Sequence, residues 1–382
     1  MKAKAAVLWG QGQDWSIEDL QVDPPKAGEV LVEWKVAGMC HSDDHMKTGD
    51  MVPPREAWEF MGIEDFYPII GGHEGAGIVL EVGDGVTTLK PGDHVSASFV
   101  PSCGRCRYCL TGKQALCNNT ANTFIGGMIT DGTDRHFVNG KPITLMAKLG
   151  TFGSHSCVSE LSLIKVDDDL PMECVALVSC GVATGWGSAV RRAETQPGDT
   201  VVVVGIGGIG INAVQGAKMA GAKRIIAVDP VEFKREKALE LGATHAYASM
   251  DEAMGPLQEL TWGEMADRVI MTPGVLHGEM MASAMNLAGK GSTVVVTAIS
   301  PMMSNEASIN LFNLAMWNKE VKGTIFGSLN PRYDIPALLS MYREGTLKLD
   351  ELITNRYPLE QINQGYADMM AGKNIRGVIC YE

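Results

Sequence analysis

Residues 201–210 read VVVVGIGGIG, four β-branched residues running straight into Gly205-x-Gly207-Gly208-x-Gly210. An unbroken β-branched run fits a short strand buried on both faces, as in a parallel sheet. Glycines then suit a tight turn, let the backbone approach a pyrophosphate, and let the following helix pack close to the strand. The free N–H groups opening that helix attract an anion. Asp229 follows 24 residues after Gly205, at the end of the next apolar run, RIIAV. A carboxylate there accepts hydrogen bonds from both ribose hydroxyls and repels a 2′-phosphate, which favours NAD over NADP. Lys234 and Arg235 nearby weaken that preference. The same letters also fit a glycine-rich turn in another α/β fold, with Asp229 as a helix cap.

Outward from this turn the sequence alternates. Strands are predicted at Thr200–Val204, Arg224–Val228, Ala266–Met271 and 292–297, and helices at 207–220, Glu232–Leu241 and 277–288. Strands alternating with helices imply a parallel sheet covered on both faces. Before about residue 181 the chain reads as β-rich and glycine-punctuated, with partly alternating runs at 30–36 and 77–82 and turn clusters at 83–85 and 90–93. After about residue 323 come helical patterns at 335–342 and 359–371 and a last strand at 377–381. At 382 residues the chain is long enough for two or three domains.

Composition narrows the function. The chain is 45% hydrophobic and 20% charged, a folded composition. Its 32 basic against 45 acidic residues give a net charge of −13, which disfavours phosphate backbones and anionic lipid. No stretch reaches 18 uninterrupted apolar residues, and residues 1–13 lack a long apolar core, so neither a membrane span nor a leader is expected. The nine cysteines are an odd number, and four fall within fifteen positions. That pattern reads as metal binding in a reducing compartment, hence a cytoplasmic protein. Cys103-x2-Cys106-x2-Cys109-x7-Cys117 places four thiolates in one lobe, enough to wrap a zinc ion tetrahedrally with no open position. An iron–sulfur cluster is the minor alternative.

A second set is dispersed: GMCHSDDH around Cys40, GGHEGAG around His73, and LVSCGVATGWGSAV around Cys180. Each alone is bland. Together with the four-cysteine lobe and VVGIGGIG, they occur in the order and approximate spacing of the zinc-dependent medium-chain alcohol dehydrogenases, and the resemblance covers essentially the whole chain. It implies an α/β protein. A GroES-like β-rich catalytic domain spans 1–181 and 325–382, a Rossmann domain with a doubly wound parallel sheet spans 182–324, and the active cleft lies at their junction.

Residue by residue, the resemblance implies that Cys40, His73 and Cys180 ligate a catalytic zinc with a fourth position left open. Cys103, Cys106, Cys109 and Cys117 then hold a structural zinc, two zinc per chain. Glu74 resembles the carboxylate behind the metal, and Asp43 the partner orienting His73. Ser42 matches the hydroxyl that takes the substrate proton, and His45 the outer end of that relay. His41 and Arg376 fall where phosphate contacts to the dinucleotide are expected, and Thr184 at the nicotinamide end. Gly205, Gly207, Gly208, Gly210, Asp229 and Lys234 complete the cofactor set. The implied reaction is hydride exchange between a primary alcohol or aldehyde and NAD, with zinc as Lewis acid.

A finer resemblance concerns DPVEFKR at 229–235, GTIFG at 323–327, Asp334-Ile335-Pro336 and GKNIRGVI at 372–379. These are similar to the actinobacterial nicotinoprotein alcohol dehydrogenases, dependent on nitrosodimethylaniline (NDMA) and linked to the peptide redox cofactor mycofactocin. It implies NAD held through turnover and reoxidised by an external acceptor. The 32 residues between Cys40 and His73 exceed the gap in the common animal and plant enzymes. The extra length, around 50–65, is either a wall of the substrate channel or a surface loop. Formaldehyde dismutase, a thiol-adduct formaldehyde dehydrogenase, an NAD-responsive binding protein and a zinc-ribbon nucleic-acid binder are the alternatives. Residues 309–327 read as a strand-rich edge for pairing into a homodimer or homotetramer.

Overall fold

The computed structural model describes residues 1–63, 65–122 and 126–381. The chain divides into two compact units, one of residues 1–180, 330–342 and 349–382, the other of residues 181–329 and 343–348. The changeover thus falls later than residue 325 on the return, and the six residues after helix Pro331–Arg343 begins to end go back to the second unit. One reason is a side chain: Gln215, buried on helix Gly210–Met219, both accepts from the Lys348 N–H and donates to its carbonyl, each at 2.9 Å.

The first unit is built from two sheets. Its longest strand, Glu29–Gly38, pairs antiparallel with Glu74–Val82, His155–Ser159 and the C-terminal Arg376–Cys380. Register matters here. Gly38 stands opposite both Glu74 and Val378, so Arg376 arrives two residues from the position facing Glu74. Gly38 is compulsory at that crossing: a Cβ there would lie 2.1 Å from Glu74 Oε2 and 3.1 Å from Arg376 Nη2. The second sheet begins with the hairpin Lys2–Leu8 and Ser16–Val22. Trp34, Phe66, Phe152, Leu20 and Ile70 fill the core. A helix at Arg55–Met61 occupies the long gap, with Trp58 Nε1 donating to the Pro53 carbonyl and Met51, Val52 and Trp58 packed on that core. That packing makes it more than a solvated loop. Glu64, at the end of the gap, lies outside the described residues.

The second unit carries one parallel sheet of six strands. In space the order is His245–Tyr247, Arg224–Val228, Thr200–Val204, Ala266–Met271, Ala288–Val296, Glu320–Gly323. Chain order reverses between Thr200–Val204 and Ala266–Met271, the switch point at which such sheets take ligands. Val202, Ile226, Val269 and Val294 form its buried heart. The expected helix at 277–288 is shorter, Met280–Leu287, because Ala288 already opens the next strand. The stretch 309–327 is not strand-rich. Asn310 caps a helix at Leu311–Met316 by accepting from the Asn313 N–H, and only Glu320–Gly323 is extended. Its Leu, Ala and Met residues favour helix once such a cap starts one.

Met172–Arg192 is the one helical stretch among the described residues long and apolar enough to cross a membrane, and it is mostly buried inside the protein. It contains π-helical turns at Val178–Val182 and Ser188–Arg192, and Cys180 sits in the first. Such widened turns recur at functional sites because they re-aim side chains.

Candidate active site

Three separate elements deliver the metal-type donors of the first unit. Cys40 is the N-cap of helix His41–Thr48, His73 and Glu74 open strand Glu74–Val82, and Cys180 projects from the π-turn. Ligand atoms of Cys40, His73, Glu74 and Cys180 all lie within 4.8 Å of one another, and all four residues are buried. Two sulfurs and an imidazole are the donors zinc prefers, and three protein ligands leave a position open. A test of fit comes from Glu74 Oε1, which is buried and has no hydrogen-bond partner. A bare carboxylate oxygen beside two thiols is costly unless it serves a cation.

The surroundings tune these donors. Asp43, wholly buried, sets Oδ2 3.2 Å from His73 Nδ1, at ion-pair distance but off the line of a good hydrogen bond. Its Oδ1 accepts from the Gly72 N–H at 2.6 Å. An acceptor at Nδ1 leaves Nε2 as the ligating nitrogen. Burial pushes His73 down, but the charges of Asp43 and Cys40 outweigh it and hold the imidazole well above its usual value. The hydrogen bond from Cys180, with the charge of His73, pulls the Cys40 thiol well below the usual range and leaves Cys180 well above it. Burial raises Glu74 to about 7 against the pull of Arg376. Arg376 Nη2 donates to Glu74 Oε2, and both side chains are buried. The guanidinium that the resemblance assigns to a phosphate contact thus also pairs with Glu74.

The helix after Cys40 carries the remaining expected groups. Ser42 Oγ lies 3.5 Å from Cys40 Sγ. His45 is buried, with Nδ1 3.3 Å from Asp50 Oδ2. His41 is about a third exposed, its ring 5.0 Å from that of His45 and its Nε2 4.0 Å from Asp44 Oδ2.

In the second unit the three glycine positions divide the work. Gly205 has φ +89, and a Cβ there would lie 2.5 Å from the Thr272 carbonyl, so it makes the tight turn. A Cβ at Gly210 would lie 1.9 Å from the Gly205 carbonyl, so it brings the helix against the strand. A Cβ at Gly207 would meet nothing within 4 Å: that glycine opens onto free space, where a pyrophosphate needs room. Gly208 lies between them in the same turn. Asp229 accepts from Ile206 N–H at 2.7 Å through Oδ2 and from Val231 N–H at 2.9 Å through Oδ1. It therefore ties the glycine turn and closes a local turn just ahead of the next helix, while each oxygen keeps a lone pair for a ribose. Arg235 Nη1 donates to the carbonyls of Asp229 and Pro230. Lys234 is half-buried on the same helix. Thr184 Oγ1 is buried without a partner, a polar atom that suits a ligand amide.

Comparison with known proteins gives the family. Residues 26–168 match the alcohol dehydrogenase GroES-like domain family, and residues 208–344 the zinc-binding dehydrogenase family. The NDMA-dependent alcohol dehydrogenase of Amycolatopsis methanolica is 51% identical over 381 residues, 100% of this chain and 99% of that protein. The chain belongs to the zinc-binding alcohol dehydrogenase family. Alcohol dehydrogenase B of Mycobacterium tuberculosis is 47% identical over the same span, covering 99% of that protein. Among solved structures, benzyl alcohol dehydrogenase from Acinetobacter calcoaceticus superposes with TM-score 0.89 at 28% identity, covering both chains fully. An alcohol dehydrogenase zinc-binding domain protein from Burkholderia ambifaria gives TM-score 0.89 at 30% identity, over 100% of this chain and 99% of that one. This alcohol dehydrogenase is accordingly an oxidoreductase that uses zinc and a nicotinamide cofactor.

The four-cysteine lobe of the dehydrogenase is equally well formed. Ligand atoms of Cys103, Cys106, Cys109 and Cys117 lie within 4.8 Å of one another, and none is in a disulfide. Cys103 and Cys109 sulfurs are 3.9 Å apart, close to the edge of about 3.8 Å that Zn–S bonds of about 2.3 Å give a tetrahedron. Backbone N–H groups of Cys103 and Cys106 donate to the sulfurs of Cys117 and Cys103.

Sequence reasoning missed several supports. Tyr366 donates its hydroxyl to the Cys40 carbonyl at 3.3 Å, Thr151 Oγ1 donates to the Glu74 carbonyl at 2.8 Å, and Phe99 lies edge-on to the His73 ring at 5.8 Å. No local motif marks them, since they come from distant turns and from the C-terminal helix Ile362–Met370. Asp44 was legible only as the second acid of SDDH, and it too is buried.

Proposed function

We propose that this alcohol dehydrogenase interconverts primary alcohols and aldehydes by hydride transfer to and from NAD, that the dinucleotide stays bound through turnover, and that an external acceptor of the mycofactocin type reoxidises it in place. The observation that carries the chemistry is the convergence of Cys40, His73 and Cys180, three residues far apart in sequence, around one buried point with Glu74 behind it. The 51% identity to an NDMA-dependent enzyme supports the retained cofactor.

Zinc held by Cys40, His73 and Cys180 supplies Lewis acidity toward the substrate oxygen, and a second zinc in the four-cysteine lobe holds that loop. Asp43 keeps His73 turned toward the donors. Glu74 balances charge behind them, and Arg376 keeps that carboxylate ionisable in a dry site. Ser42 takes the substrate proton, and His45 is the outer station of its path. Gly205, Gly207, Gly208 and Gly210 accommodate the pyrophosphate. His41 and the unpartnered Nε of Arg376 are the phosphate-facing cations. Asp229 selects the unphosphorylated ribose, with Lys234 at its margin, and Thr184 meets the nicotinamide amide. Subunits pair through the edge strand Glu320–Gly323, flanked by exposed Leu311, Phe312, Met316 and Trp317, into a homodimer or homotetramer. Nine unbridged cysteines suit the reducing cytoplasm.

Metal analysis and nucleotide extraction on one dialysed sample test the reading. The expected yield is two zinc and about one NAD(H) per chain, with alcohol oxidation driven by nitrosodimethylaniline and indifferent to added NAD. Protein that carries no nicotinamide and turns over only with free NAD overturns the retained-cofactor reading.

A further inference from the structure

Arg235 stands six positions after Asp229, where a free guanidinium would accommodate the 2′-phosphate of NADP. The structure gives it other work. Nη1 donates to the Asp229 carbonyl at 2.8 Å and to the Pro230 carbonyl at 2.9 Å, and the Arg235 backbone N–H donates to the Val231 carbonyl at 3.2 Å. Three consecutive carbonyls therefore end on one residue.

That grip falls where the chain has little else to hold it. Helix Glu232–Leu241 is entered through Val231, an N-cap with no side-chain hydrogen bond, since valine offers no acceptor. Pro230 has no N–H to donate. The Asp229 N–H goes to the Tyr247 carbonyl at 3.1 Å, and the Val231 N–H to Asp229 Oδ1 at 2.9 Å. Asp229 Oδ2 takes the Ile206 N–H of the glycine turn at 2.7 Å. The neighbouring strand thus holds Asp229 by its N–H, the glycine turn by its carboxylate, and Arg235 by its carbonyl. The two guanidinium bonds are charge-assisted, which makes them stronger than the neutral bonds around them.

We propose that Arg235 is a positioning residue for nucleotide selectivity: it fixes residues 229–231 so that Asp229 meets the ribose, and in doing so it withholds its own charge from a 2′-phosphate. A cation that by its place in the sequence argues for NADP works in the fold for NAD. The assignment rests on the reading of Asp229 as the residue that selects the unphosphorylated ribose.

The test is titration calorimetry of the full zinc-loaded chain, stripped of nucleotide, with NAD and with NADP. Arg235→Met keeps an apolar stem and removes the donors. It should weaken NAD about tenfold, the lower end of what one hydrogen bond to a charged group is worth, and change NADP by less, so that the preference for NAD narrows. Arg235→Lys, whose ammonium still donates from a long stem, should restore most of the NAD affinity. In an Asp229→Ala background, Arg235→Met should leave NAD binding where Asp229→Ala alone puts it. A merely structural role predicts equal losses for both nucleotides, and a phosphate-binding role predicts loss of NADP alone. Either result overturns the assignment, as does unchanged NAD affinity in Arg235→Met or the same loss in the Asp229→Ala background. Should Arg235→Met not fold, Arg235→Gln is read against the same outcomes. Wild type that binds NADP as tightly as NAD overturns instead the reading of Asp229, and the losses in Arg235→Met still decide which nucleotide the guanidinium serves.

Discussion

Gly207 and Gly210 differ by three positions in one turn, yet alanine should do opposite things at the two. At Gly207 an added methyl meets no atom within 4 Å, and the backbone is not left-handed. Gly→Ala at such a place raises stability by about 0.4–1 kcal/mol through the unfolded chain. The methyl instead occupies the approach to the glycine turn. Lifting a pyrophosphate off the backbone loses one charge-assisted hydrogen bond, about 1.5–3 kcal/mol, or about ten- to a hundredfold in affinity. At Gly210 the methyl would sit 1.9 Å from the Gly205 carbonyl and 2.8 Å from Thr272 Oγ1. Backbone cannot swing aside, so the helix must back away from the strand, at about 3 kcal/mol, the upper end of overpacking costs. For a unit of this size that is a fall in Tm of ~6–12 °C. Calorimetry on nucleotide-stripped protein reads the stability of each variant, and titration calorimetry with NAD reads the affinity. The expected pair is Gly207→Ala with intact Tm and weakened NAD, and Gly210→Ala with lowered Tm. A Gly207→Ala protein that binds NAD like wild type, or melts as early as Gly210→Ala, refutes this division of labour.

Further outcomes follow from the first unit. Of the two zinc ions proposed per chain, Cys40→Ser should lose one by mass spectrometry while the four-cysteine lobe keeps the other; loss of both metals would sink the view that the two sites are independent. Arg376→Met leaves Glu74 buried and unpaired and should cost about 3–5 kcal/mol in denaturant unfolding. Arg376→Met with Glu74→Leu should regain much of that, and strictly additive losses would show the pair is not coupled. His136, buried and accepting from the Cys157 N–H, is held down to about 3 by burial and by the charge of Arg135. The unfolded chain binds that proton near 6.5 and the folded one does not, so stability falls as pH drops through this window. Between pH 7 and pH 5 the loss is about 2 kcal/mol. His136→Gln should flatten that slope in denaturant titrations, and an unchanged slope would remove His136 as its source.

The glycine turn, the alternating strands and the four-cysteine lobe were legible because each is local, its spacing carrying its geometry. Cys40, His73 and Cys180 could be linked only through the resemblance, since nothing within each short motif reports the other two. Arg376 shows the limit best. Its position in the chain suggested a phosphate contact; its additional pairing with Glu74 could not be read there, because strand register sets it, with Gly38 facing Glu74 on one side and Val378 on the other. The stretch 309–327 was misjudged for a similar reason, because Asn310 as a cap outweighs the apolar pattern around it. Tyr366 and Thr151 serve the centre through backbone carbonyls, which leave no mark on neighbouring residue types.

Glu74 and Arg376 are 302 residues apart. At roughly 5–20 residues per second, a ribosome takes on the order of 15–60 s to supply the second after the first. Throughout that interval the central sheet of the first unit lacks its Arg376–Cys380 strand, whereas residues 181–329 are already synthesised. Birth order therefore runs against chain order: the second unit is complete while the first still waits for its Arg376–Cys380 strand. A nascent chain stalled just short of residue 376 would expose an open sheet edge and an uncompensated acid, a natural hold for chaperones and a reason to keep affinity tags off the carboxyl end.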